Sequence, residues 1–145
     1  MQRQHLFNNH FVALMSPEHP LVHKEFDIKA LVNSDNLLVY LSGDASGIVD
    51  IKLTEKNLTR RIAMTTNSFS SAMSLIKQTS LVCALPYAVA FDHVKDGSLI
   101  AKSMPIDILS AEISTAWHNR SNRDVGLTWL RDTISQIVNN KQELF

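Results

Sequence analysis

The chain has 145 residues, the length of one ordinary domain. Hydrophobic residues make up 45% and charged residues 19%, which excludes a disordered or collagen-like chain. Fourteen Lys and Arg balance fourteen Asp and Glu, and zero net charge argues against a segment that grips nucleic acid itself.

In chain order, "FVALM" (11–15) is a continuous apolar run, the pattern of a strand covered on both faces. "DIKALV" (27–32) predicts a short helix with Asp27 near its start. "LLVYL" (37–41) predicts a second buried strand. Residues 46–57 read as a helix, although Ile48, Val49, Ile51 and Thr54 are β-branched and weaken it. "RRIAMTT" (60–66) is a more polar strand. In 68–78 the residues Phe69, Ala72, Met73 and Ile76 fall at i, i+3, i+4, i+7, with Ser68 suited to the N-cap. "LVCAL" (81–85) is a third buried strand, and residues 86–94 open a helix with Pro86 in its first turn. "ILSAEISTAW" (108–117) alternates, with Leu109, Ala111, Ile113, Thr115 and Trp117 on one face. A last helix, 122–139, carries Leu127, Leu130, Ile134 and Ile137 on one stripe. Its start fits a capping box, with Ser121 as cap and Asp124 in the first turn. Strands alternating with helices predict an α/β fold with a mainly parallel sheet.

The chemistry-bearing residues are few. The single cysteine, Cys83, excludes an intrachain disulfide framework and sits mid-strand, where a buried inert thiol is expected. His19 and His23 are four apart, but Pro17 and Pro20 argue against the helix that would bring them to one metal. Neither a nucleotide-binding glycine fingerprint nor a G-x-S-x-G elbow occurs, so no cofactor and no catalytic residue are expected. The cluster of His118, Arg120, Arg123 and Asp124 between Trp117 and Trp129 reads as a strand, a capped turn and a docking helix with two tryptophan anchors. Two strand-to-helix turns remain, "SGDASG" (42–47) and "TTNSF" (65–69). In open α/β sheets, ligands bind at such strand carboxyl ends, near helix N-termini. An ordinary turn and ordinary capping by Ser68 explain the same residues. Neither a run of about 18 apolar residues nor a signal-peptide core is present, which predicts a cytoplasmic protein with no membrane contact.

The ordered set "FVALMSPEHPLVHKEFDIKALVN", "RRIAMTTNSFSSAMSLIKQTSLVCALPYAVA" and "AWHNRSNRDVGLTWLRDTI" resembles the effector-binding domain of LysR-type transcriptional regulators. Three landmarks carry the resemblance: a strand followed by "HPL" and a short helix; a strand, polar turn, helix and strand ending in "LP"; and a strand ending in Trp-His, an "R-S-x-R-D" turn and a helix with "WLR". The resemblance implies a periplasmic-binding-protein-like (type 2) fold. The second subdomain would span about 12–105. The returning strand and C-terminal helix of the first subdomain would span about 106–145. It implies a piece of a longer regulator, or a truncated product, that lacks the helix-turn-helix, so DNA would be reached only through that absent part. It also implies a small-molecule effector bound at Ser42, Gly43, Asp44, Thr65, Thr66, Asn67, Ser68, Phe69 and Pro86. Those hydroxyls and amides suit a small organic anion, and exposed edges on the partial first subdomain suit a homo-oligomer. A periplasmic-binding-like solute receptor and a small α/β enzyme are the alternative readings.

Overall fold

The computed structural model describes residues 1–40 and 47–141. Its elements are β1 (Gln2–Asn9), β2 (Phe11–Met15), α1 (Ile28–Asn33), β3 (Asp35–Val39), α2 (Ile48–Thr54), β4 (Arg61–Thr66), α3 (Phe69–Gln78), β5 (Val82–Pro86), α4 (Tyr87–Lys95), β6 (Ile100–Ser103), β7 (Ala111–Trp117) and α5 (Val125–Asn139). They form two compact units, Phe11–Leu109 and Met1–His10 together with the segment from Ser110 onward.

The larger unit is a sheet of order β4-β3-β5-β2-β6. β4 and β5 both run parallel to β3, while β2 runs antiparallel to both β5 and β6. The sheet is therefore mixed: four strands share one direction and β2 runs against them. That exception to the expected parallel sheet leaves no mark on composition, because β2 is covered on both faces like β5.

Alternate residues of β2 enter two different cores. Val12 and Leu14 join Leu37, Cys83 and Leu85 under Ala72, Met73 and Ile76 of α3 and Ala90 of α4. Ala13 and Met15 join Val82 under Leu31 of α1 and Val49 and Leu53 of α2. A period-two strand between two helical layers needs apolar residues at every position, which is why "FVALM" is unbroken. Leu14, Met15, Leu31, Leu53 and Ile76 are fully buried, each contributing about 1.5–3 kcal/mol of transfer free energy.

Local chemistry fixes the helix starts. Asp27 Oδ1 accepts from the Ala30 N–H at 2.8 Å and caps α1. Gly47 caps α2, and its own N–H donates to Asp50 Oδ2 at 3.2 Å. A Cβ on Gly47 would lie 3.0 Å from Leu38 Cδ1 and 3.2 Å from Asp50 Oδ2, so a larger residue there must displace core atoms. Asn57 takes the left-handed conformation, φ 54°, just past α2, a conformation asparagine tolerates better than most residues.

The smaller unit is the antiparallel ribbon β1–β7 with α5. Gln4 Nε2 donates to Ser135 Oγ of α5 at 3.1 Å. Three expectations about this unit are corrected. α5 starts at Val125, and its cap is Asp124, whose Oδ1 accepts from the Leu127 N–H at 2.9 Å. Ser121 instead lies inside a 3₁₀ turn, Asn119–Arg123, capped by His118. That extra turn separates the strand from the helix and shifts the cap by three residues. Leu127, Leu130 and Ile137 are about half exposed, and Trp129 is 65% exposed, so the apolar stripe and the second tryptophan are not buried within the unit. Trp117 alone is an anchor, with Arg131 stacked 4.4 Å from its ring and Nε1 donating to Asn122 Oδ1 at 2.7 Å.

Candidate functional site

The sheet of the larger unit brings several chain segments to one edge. β3, β4 and β5 run the same way, so their carboxyl ends lie together. The Tyr40 N–H donates to the Thr66 carbonyl at 3.0 Å, extending the β3–β4 ladder to its last residue. Pro86, the last residue of β5, stands opposite Phe11, and Val12 stands opposite Ser103. One edge therefore carries Thr66, Tyr40, Pro86, Phe11 and Ser103.

The turn after β4 is built from its own hydroxyls. Thr66 Oγ1 accepts from the Ser68 N–H at 3.3 Å, and Ser68 Oγ accepts from the Ser71 N–H at 3.3 Å. The second bond caps α3 and takes up one of the N–H groups that a helix start leaves without an intrahelical acceptor. Thr65 and Asn67 are exposed, while Thr66, Ser68 and Phe69 are half-buried. Thr65, Thr66, Asn67, Ser68 and Phe69 thus form one polar turn at the start of a ten-residue helix. The positive end of that helix dipole points at the same edge and favours an anionic group.

Pro86 lies at the same edge but ends the strand instead of starting the helix. Its ψ of 132° is extended, and α4 begins at Tyr87. The expected site residues Ser42, Gly43 and Asp44 lie outside the described residues.

At the amino ends of β3 and β4, away from these residues, lies a buried charged network that periodicity did not disclose. Arg60, its side chain 2% exposed, donates through Nε to Asp50 Oδ1 at 2.9 Å and through Nη2 to Asp50 Oδ2 at 3.0 Å. Its Nη1 reaches Asn36 Oδ1 at 3.2 Å, and Asn36 Nδ2 donates to the carbonyls of Leu31 and Ser34. The forked guanidinium ties β3, the head of β4 and the first turn of α2 into one piece. Its polar atoms are committed to the protein, so it is a scaffold and not a ligand contact.

Other chemistry-bearing groups are occupied elsewhere. Burial pushes the Cys83 thiol up to about 12, far from the reactive range. His19 uses both ring nitrogens within the protein, on Ser80 and Leu21. His118 caps the 3₁₀ turn through Nδ1, accepting from the Arg120 N–H at 3.2 Å. Among the described residues no group of three His, Cys, Asp or Glu side chains is placed to hold a metal ion.

A family model described as the LysR substrate binding domain matches residues 1–138. The transcriptional activator NahR of Pseudomonas putida is 24% identical over 129 residues, 89% of this chain and 43% of that protein. The transcriptional regulator SyrM of Rhizobium meliloti is 27% identical over 134 residues, 92% of this chain and 41% of that protein. The chain thus spans less than half the length of these relatives. Among solved structures, a putative transcriptional regulator from Vibrio parahaemolyticus superposes with a TM-score of 0.80 at 17% identity, covering 96% of this chain and 65% of that one. The regulatory domain of MexT from Pseudomonas aeruginosa superposes with a TM-score of 0.75 at 23% identity, covering 93% of this chain and 64% of that one. A mixed α/β sheet with helices on both faces and a family match over nearly its whole length lead to one conclusion: the chain belongs to the LysR substrate-binding domain family, the periplasmic-binding-protein-like regulatory domains of transcriptional regulators.

Proposed function

We propose that this chain is the effector-sensing module of a longer DNA-binding regulator and that it acts by binding, not by catalysis. The observation that carries the reading is the meeting of three strand ends with the start of α3 at one sheet edge, with Thr65, Thr66, Asn67, Ser68, Phe69 and Pro86 as its contacts. Ser42, Gly43 and Asp44 belong to the same proposal by their place in the sequence, directly after β3. Hydroxyl and amide donors beside a helix start suit a small organic molecule with an anionic group.

Sensing requires that the effector bind two states of the regulator with different affinity. The half-exposed Leu127, Leu130 and Ile137 on α5 support a homo-oligomer, because contiguous exposed apolar surface favours association. No helix among the described residues is long and apolar enough to cross a membrane. A regulator that meets DNA through a segment outside this sequence would work in the cytoplasm. The effector dose–response of Thr66→Ala and Ser68→Ala, in the regulator containing this domain, tests the assignment.

A further inference from the structure

The "HPL" segment does something other than hold a ligand. His19 sits in the turns between β2 and α1, where the His19 N–H donates to the Ser16 carbonyl and the Val22 N–H to the His19 carbonyl. The residue is buried, at 9% exposure. Its ring reaches 61 positions along the chain: Nε2 lies 3.1 Å from the Ser80 carbonyl oxygen, in the turn joining α3 to β5. Its Nδ1 lies 3.1 Å from the Leu21 backbone nitrogen.

These two partners fix the tautomer. A carbonyl only accepts, so Nε2 carries the proton; an N–H only donates, so Nδ1 offers its lone pair. Both bonds form together only in the neutral ring. Protonation would put a second N–H on Nδ1, pointing at the Leu21 N–H, and two donors cannot bond. Pro20 follows directly, fixing its own φ and restricting the backbone conformations open to His19.

We infer that His19 is an acid-released latch: its neutral ring fastens the 16–24 segment to the α3–β5 turn, and protonation unfastens it. Glu18 from the same segment and Lys77 from α3 are the charged groups lining the depression of about 320 Å³ beside it, and neither bonds the ring. Burial holds the His19 pKa below its ordinary value, the Ser80 bond opposing that in part. The sign follows: the fold prefers the neutral ring, so the latch is closed above the ordinary value of about 6.5 and its stabilisation is lost as pH falls below it. The depression lies at the sheet edge opposite Thr66 and Pro86, so this inference stands apart from the effector reading.

Amide hydrogen exchange of the 145-residue chain at pH 7.5 and 5.0, corrected for intrinsic rates, tests it residue by residue. The expected result is a Leu21 amide that loses about tenfold protection relative to the Cys83 amide on acidification, and a His19→Gln variant in which that loss is absent. Equal Leu21 protection at both pH values overturns the inference. Should His19→Gln not fold, the ring ¹⁵N shifts of the native chain decide: an Nε2–H tautomer at pH 7.5 supports the latch, and an Nδ1–H tautomer overturns it.

Discussion

Replacing Asp50 with alanine isolates the worth of the buried network. The substitution leaves the Arg60 guanidinium, 2% exposed, with Asn36 Oδ1 as its one remaining side-chain partner among the described residues. It also removes the acceptor for the Gly47 N–H at the head of α2. Removing one partner of a buried pair costs about 3–5 kcal/mol, because a charge is stranded away from water. Asp50 is itself 25% exposed, so water can partly replace it, and the lower end applies: about 3 kcal/mol. For a chain of this size that lowers Tm by about 12 °C. Adding Arg60→Met removes the stranded charge but leaves Asn36 Oδ1 without its donor, a loss of about 1 kcal/mol. The double variant should therefore be more stable than Asp50→Ala by about 1–2 kcal/mol. Urea unfolding followed by circular dichroism measures both variants against the parent. An Asp50→Ala loss under about 0.5 kcal/mol, or a double variant less stable than Asp50→Ala, would refute the reasoning.

The helix start at α5 gives a sharper pair. Asp124→Ala should destabilise by about 1 kcal/mol through the lost cap, whereas Ser121→Ala should stay within about 0.5 kcal/mol; thermal melts separate them. Sedimentation equilibrium tests the proposed assembly: association that weakens in a Leu127→Ser, Leu130→Ser double variant is expected, and a clean monomer at high concentration would count against it.

Much of the larger unit was legible because its core is two-sided. β2 and β5 are unbroken apolar runs, and α3 declares itself through Phe69, Ala72, Met73 and Ile76. β1 and β6 were not. "QRQHLFNN" has few strand-favouring residues and owes its strand to pairing with β7, while β6 is four residues long. The direction of β2 was hidden for a related reason, since burial on both faces looks the same whichever way the strand runs.

The candidate site divides similarly. The strand, polar turn and capped helix at Thr65–Phe69 are contiguous, so their order reveals them. Phe11 and Tyr40 share the edge only through register, which sequence spacing does not encode. Arg60 looked like the first residue of a polar strand. Its partners stand 10 and 24 positions back, at no period that marks a helix or a sheet.

The most direct test of the sensing role compares opposite ends of the same sheet. In the regulator that contains this domain, effector dose–response curves would be recorded for Thr66→Ala, Ser68→Ala and, at the far edge, Thr79→Ala. One lost hydrogen bond is worth about 0.5–1.5 kcal/mol, so the first two variants should need about 2–10-fold more effector for half response, with Thr79→Ala unchanged. Curves for Thr66→Ala and Ser68→Ala that overlie the parent would contradict the account.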